Sequence, residues 1–370
     1  MMPAPINPCH GILIVNNPQM IHAPPIVIAP WKNPKASFGS NIFSALTPIA
    51  STLNPQQKIN NRIGHRVERT IAQGKGLQFE RSCSFFSRMT IHWCNGKWLP
   101  ESEMGLATTD RGATHGLALF ETMRAVDQEL WFLDEHFSRI SESCTRFGWP
   151  ALECLLTRDD CRAICRDLMA KNDLAHGTAR CRLWMSAGAG PLHELARGAD
   201  AILWLSATAA EPAPTEIAVC KSPWTRNEQS ALCGVKCASY AESIVALAHA
   251  RQASFGETIF LNTRGNISEA AMANVFCIHK NTLMTPPLTD GCLPGVTRAV
   301  VISQAINRGI HFLEKSLTWQ EFSSAAECFL SSSLRGIVPI TRIDSRPLAI
   351  GPITRQIQQA WLAAGIASAN

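Results

Sequence analysis

Apolar and polar positions alternate along Thr90-Ile91-His92-Trp93-Cys94, break at Asn95-Gly96 and resume at Lys97-Trp98-Leu99, the pattern of a β-hairpin closed by a two-residue turn. A second strand is predicted over 118–126, with a turn at Asp127-Gln128 before Glu129-Leu130-Trp131-Phe132-Leu133. From Asp134, an N-cap type, the apolar residues Phe137, Ile140 and Cys144 fall at helical spacing. A helix over 159–171 and strands over 179–186 and 201–206 follow. The stretch Ala207-Thr208-Ala209-Ala210-Glu211-Pro212-Ala213-Pro214 has no period and two prolines, which suits a linker. Beyond it the pattern predicts strands at 215–221, 258–261, 274–278, 327–331 and 337–340, and helices at 240–253, 297–308 and 354–364. Both halves mix strands and helices, so the expected class is α+β. It comprises two mixed α/β domains, a smaller one at 89–206 and a larger one at 215–370, joined at 207–214.

Composition leaves that picture intact. The chain has 370 residues, 46% hydrophobic and 17% charged, as in a globular protein of about two domains. Its formal charge of +5 divides unevenly: residues 1–88 hold nine Lys/Arg against Glu68 and Glu80, so the remainder carries a balance of −2. The body therefore lacks the clustered basic charge that nucleic-acid binding needs. Ten of the 22 prolines lie within residues 1–55, and the apolar run Gly11-Ile12-Leu13-Ile14-Val15 is too short to span a membrane. Residues 1–88 are read as a disordered leader, or as upstream of a working start near Met89, in preference to an organelle-targeting segment. Fourteen cysteines without framework spacing fit free thiols in a reducing cytoplasm, and no metal site is expected from them.

The most specific stretch runs from Gly265 to Arg298. It holds Glu269, then Asn274-Val275-Phe276, then Leu283-Met284-Thr285, and closes on Leu293-Pro294-Gly295-Val296-Thr297-Arg298. This order resembles the signature of the class IV pyridoxal-phosphate aminotransferases. Asp110-Arg111-Gly112 through Phe120-Glu121-Thr122-Met123-Arg124 is similar to the family's N-terminal block. His136-Phe137-Ser138-Arg139 is similar to its phosphate-binding His-x-x-Arg, and Val235-Lys236-Cys237-Ala238-Ser239-Tyr240 to the segment bearing its cofactor lysine. The resemblance covers nearly all of residues 89–370 and none of 1–88. It implies the D-amino-acid aminotransferase-like fold, pyridoxal 5'-phosphate as cofactor and a homodimer.

Each implied role has a physical reason. A lysine whose pKa is lowered supplies the free amine that condenses with an aldehyde and later moves protons, and Lys236 follows the apolar Leu232-Cys233-Gly234-Val235. A pyridine nitrogen stays protonated beside a carboxylate, the role that falls to Glu269. A phosphate needs a cationic fork and free backbone N–H groups. Arg139 matches the fork, Val296 and Thr297 should open a helix, and Ser333 is a further contact. Tyr240, the only tyrosine of the chain, lies four residues after Lys236, where relatives place a hydroxyl near the cofactor's ring oxygen.

Two features lean toward one branch of the family. Thr122 stands where branched-chain aminotransferases usually have Gly, as in the Phe-Glu-Thr-x-Arg block of aminodeoxychorismate lyases. Ser332-Ser333-Leu334-Arg335-Gly336-Ile337-Val338-Pro339-Ile340 is similar to a lyase Asn-Ser-Leu-x-Gly-x-x-Pro-Val stretch, with Ser332 in place of Asn. The expected activity is therefore 4-amino-4-deoxychorismate lyase, and the alternative is a branched-chain or D-amino-acid aminotransferase. Candidates for binding the small amine-carboxylate substrate are Phe120, Arg124, Arg180 and Arg182, the last two on one face of a strand by alternation.

Overall fold

The structure, a computed structural model, describes residues 90–369. The expected leader at 1–88 lies outside them. Residues 90–369 lie in one compact unit, and their strands divide between two sheets.

The first sheet comprises β1 (Ile91–Cys94), β2 (Lys97–Pro100), β3 (Ala118–Val126), β4 (Glu129–Leu130), β5 (Thr178–Ser186) and β6 (Leu203–Ala209), in the order β2-β1-β6-β5-β3-β4. Every pairing in it is antiparallel. Asn95 and Gly96, and again Asp127 and Gln128, take positive φ, so both predicted turns form. Along β3 and β5 the residues Leu119, Met123, Cys181, Leu183 and Met185 point to a core capped by α2 (Leu133–Arg146) and α3 (Arg158–Lys171). Phe120, Thr122, Arg180 and Arg182 take the opposite face.

Several boundaries shift from the sequence reading, the strand expected at 215–221 running on to Arg226 and the last helix to Ala369, and two of the shifts bear on how the sheets are joined. Helix α2 begins at Leu133, capped by Phe132 at φ 57°, and Asp134 lies in its first turn. Tertiary packing imposes this: the Phe132 N–H donates to Ser368 Oγ and its ring is buried beside Trp131 and Trp361. The expected linker starts three residues late, because β6 runs to Ala209, with Ala207 paired to Cys181 and fully buried.

The second sheet has nine strands: β7 (Ile217–Arg226), β8 (Glu257–Asn262), β9 (Ile267–Ala270), β10 (Asn274–His279), β11 (Thr282–Thr285), β12 (His311–Glu314), β13 (Glu327–Ser332), β14 (Gly336–Ile343) and β15 (Arg346–Pro347). Its order is β12-β11-β10-β13-β14-β7-β8-β9, with β15 on β14, and only β11/β12, β14/β7 and β7/β8 are parallel. One face packs the short helix α6 (Trp319–Ser324) through Phe322; the other packs α5 (Val296–Asn307) and α7 (Pro352–Ala369) around the stacked rings of Phe276 and Phe329. Helix α4 (Ala241–Gln252) lies against β7 and β8.

The five-residue helix α1 (Arg111–His115) carries an unusual anchor. The buried Arg111 guanidinium donates to the carbonyls of Ala187, Gly188, Pro191, Glu194 and Ala196, gathering the β5–β6 loop around one side chain. Leu192 and Leu195 stand exposed on that loop.

Candidate active site

A cavity of about 580 Å³ is walled by both sheets. Phe120, Thr122, Arg180 and Arg182 come from the first. Glu269 on β9, the N-terminus of α5 and the β13–β14 turn bring the second, and Lys236 and Tyr240 enter from the segment before α4.

Lys236 is placed by backbone pairing. The Phe120 N–H donates to the Lys236 carbonyl at 3.1 Å and the Ala238 N–H to the Ala118 carbonyl at 2.8 Å, so the segment runs as a short extra strand beside β3. Its Nζ lies 4.4 Å from the Phe120 ring centroid and 5.3 Å from that of Tyr240. Burial, with the positive charge of Arg139 nearby, brings the lysine down to about 8, so a usable fraction is free amine near neutrality. The Tyr240 ring meets Phe120 edge-on at 5.5 Å, and burial pushes its phenol up to about 12, keeping it a neutral donor.

Glu269 is held at both oxygens. Oε2 accepts the Leu293 N–H at 2.9 Å, and Oε1 lies 3.2 Å from Nη1 of Arg226. Burial raises its pKa while Arg226 opposes the rise. Sequence reasoning missed Arg226. At the end of β7, with a Pro-Trp-Thr run before it, it resembles an ordinary strand-edge cation; only the fold brings it to Glu269, to Ser243 Oγ at 3.0 Å and over the Phe260 ring.

Arg139 reaches the cavity as part of a buried ion cluster. Nε and Nη2 donate to Glu121 at 2.7 and 2.6 Å, Nη1 donates to the Pro294 carbonyl at 3.0 Å, and His136 Nδ1 shares Glu121 at 2.7 Å. Although desolvation opposes it, the pull of Arg139 and His136 holds the Glu121 carboxyl well below the usual range. These contacts take three of the five guanidinium N–H groups, and Glu121 and His136 act as its mount.

Val296 and Thr297 open α5 as predicted, after Gly295 as N-cap. A Cβ on Gly295 would stand 2.0 Å from Asn274 Oδ1, while Asn274 Nδ2 donates to the Leu293 carbonyl at 2.9 Å, so the signature Asn fixes the helix entry. Thr297 Oγ1 and Ser331 Oγ, both in the wall, are buried with no hydrogen-bond partner among the described residues. Unmade hydrogen bonds of this kind are costly, and a bound phosphate would satisfy them. With a helix N-terminus, a cation, a lysine and a buried carboxylate in one cavity, the residues present fit pyridoxal phosphate.

Ser333, Arg180, Arg182 and Phe120 also line the cavity. Neither Arg180 nor Arg182 has a carboxylate partner among the described residues, and the Arg182 guanidinium rests 4.3 Å from the Phe120 centroid. Arg124 does not line it, correcting the expected role in substrate binding. Its guanidinium donates to the Leu334 carbonyl at 2.7 Å and to Thr178 Oγ1, and lies over the Trp131 and Trp361 rings, which makes it a brace between the sheets.

The family model described as Amino-transferase class IV matches residues 118–343. The branched-chain-amino-acid aminotransferase of Escherichia coli (strain K12) is 27% identical over 283 residues, covering 73% of this chain and 91% of that protein. Among solved structures, the branched-chain aminotransferase of Thermoproteus uzoniensis with norvaline superposes with a TM-score of 0.69 at 28% identity, covering 76% of this chain and 96% of the other. A Legionella pneumophila structure to which 4-amino-4-deoxychorismate lyase activity is ascribed gives 0.66 at 26%, covering 71% and 97%.

Proposed function

Given that the chain belongs to the class IV aminotransferase family, whose members use pyridoxal phosphate, we propose that it is a 4-amino-4-deoxychorismate lyase, which releases pyruvate and leaves 4-aminobenzoate for folate synthesis. The observation that carries this reading is the pair Arg180 and Arg182, two cavity cations with no carboxylate partner among the described residues. A substrate with two carboxylates answers that surplus of positive charge better than an aliphatic amino acid. Thr122 in the same wall agrees with it.

The bound cofactor supplies an aldehyde for the substrate amine and a ring that takes up electrons when a bond at the neighbouring carbon breaks. The chain's residues do the rest. Glu269, steadied by Arg226 and the Leu293 N–H, holds a proton at the pyridine nitrogen. Arg139, the N–H groups of Val296 and Thr297, and the hydroxyls of Thr297, Ser331 and Ser333 hold the phosphate. Tyr240 donates toward the ring oxygen. Lys236 Nζ would remove the proton from the amine-bearing ring carbon and, as the adjacent carbon–oxygen bond breaks and the ring becomes aromatic, return it to the methylene of the departing enolpyruvate to give pyruvate.

A second reading, a branched-chain or D-amino-acid aminotransferase, is favoured by the E. coli relative and by the apolar wall of Ile244, Leu247 and Met272. In it Lys236 returns the proton and a keto acid collects the amine. Assaying pyruvate release from aminodeoxychorismate beside amino transfer from leucine or D-alanine to 2-oxoglutarate separates the two. We expect pyruvate; its absence together with amino transfer reverses the assignment. We also read the chain as a cytoplasmic homodimer. Its twelve described cysteines are free thiols, and the exposed Leu192 and Leu195 would be covered in a dimer.

A further inference from the structure

We propose that Arg335, braced by the buried Glu257, receives a second carboxylate of the substrate and thereby makes the site selective for dicarboxylates; this rests on the reading that Arg180 and Arg182 bind the first. Arg335 stands in the β13–β14 turn, on the nine-stranded sheet, whereas Arg180 and Arg182 stand on the six-stranded one. All three side chains line the same cavity. Charge for carboxylate recognition therefore comes from both walls, and a monocarboxylate can answer only one of them.

The brace accounts for a carboxylate that otherwise has no reason to be buried. Glu257 is fully buried at the start of β8, where an unpaired charge is expensive. One oxygen accepts the Thr258 N–H at 3.2 Å and the other lies 3.4 Å from Nη1 of Arg335. That contact engages one of the guanidinium's five donors and restricts the direction of the planar fork. The Arg335 side chain remains 28% exposed, and its only hydrogen bond among the described residues is to Glu257. Glu269, the one acid of the cavity wall among the described residues, is already held by Arg226 and the Leu293 N–H. No described residue of the wall thus consumes the remaining donors of Arg335, and a substrate carboxylate can take them in a two-point contact.

The test is calorimetric titration of the cofactor-loaded enzyme with isophthalate and benzoate, which differ by one carboxylate. The wild type should bind isophthalate more tightly. Arg335→Gln should weaken isophthalate by about ten- to a hundredfold and leave benzoate within about twofold. Arg335→Lys keeps the charge without the fork and should restore part of the difference, and it serves as the second variant should the glutamine form fail to fold. Glu257→Gln should fall between wild type and Arg335→Gln. Equal loss for both probes, or no preference in the wild type, overturns the assignment. An isophthalate preference that depends on Arg335 in an enzyme that releases no pyruvate upholds the inference and removes the lyase reading. Pyruvate release unaffected by Arg335→Gln, with no isophthalate preference, does the reverse.

Discussion

Lys236 and Glu269 each stand among groups that pull in opposite directions, and the balance sets how the enzyme should respond to pH. With the lysine at about 8, roughly a tenth is free amine at pH 7 and half at pH 8. Capture of pyridoxal phosphate by the apoprotein should therefore accelerate with rising pH and level off above that value, as followed by the cofactor's absorbance. Lys236→Ala should leave no borohydride-reducible attachment at any pH. Glu269 depends on Arg226: burial alone would drive it toward the protonated form. Arg226→Gln should move the acid limb of the pH–rate profile upward by about one unit or more and lower the rate near neutrality about tenfold. Lys236 and Glu269 were readable from local motifs because each sits inside a dense signature. Arg226 was not, because its partner is 43 positions away in the chain and no local pattern marks the pairing.

Single elements tell the same story through packing. Strand β3 has a polar residue, Glu121, on its core face, and α2 answers with Arg139 and His136. Removing the anion alone leaves a buried guanidinium uncompensated, so Glu121→Gln should cost about 3–5 kcal/mol in urea denaturation and weaken cofactor binding together. Because Glu121 is held low when folded, the unfolded chain takes up its proton first as pH falls. Its stabilisation is full above about pH 4.5 and is lost progressively below it, so the gap between wild type and Glu121→Gln should narrow in acid. The long strands and helices were legible from period alone; β3 was foreseen over its observed span. What escaped was short or tertiary in origin. The four-residue strands β9, β11 and β12 and the helices α1 and α6 are too brief for a period to register. The start of α2 was misplaced because Phe132 adopts a left-handed conformation that Ser368 and two tryptophans enforce.

At the scale of the whole molecule, every described residue lining the cavity lies between Phe120 and Arg335, and the family match spans residues 118–343. A chain starting at Met89 should therefore retain cofactor binding and turnover within about twofold of the full-length protein, measured by absorbance and by product release. The chain passes from the six-stranded to the nine-stranded sheet between Ala209 and Ile217, overlapping the stretch 207–214 where two prolines interrupt both periods. The cavity between those sheets could not be inferred, since strand pattern says nothing of how two faces meet. The Arg111 anchor has a further consequence. All five groups it grips are main-chain carbonyls, which every residue type provides, so the shape of the β5–β6 loop is insured against most changes of its own side chains. Only Gly190 is tied to the grip sterically, since a Cβ there would meet the guanidinium carbon at 2.8 Å. Positions 192, 193 and 195 can be rewritten by drift or by a designer while the frame persists. The loop is in that sense an interchangeable faceplate, with Arg111 its central fastener and Trp149, Arg197 and Asp200 holding its margins.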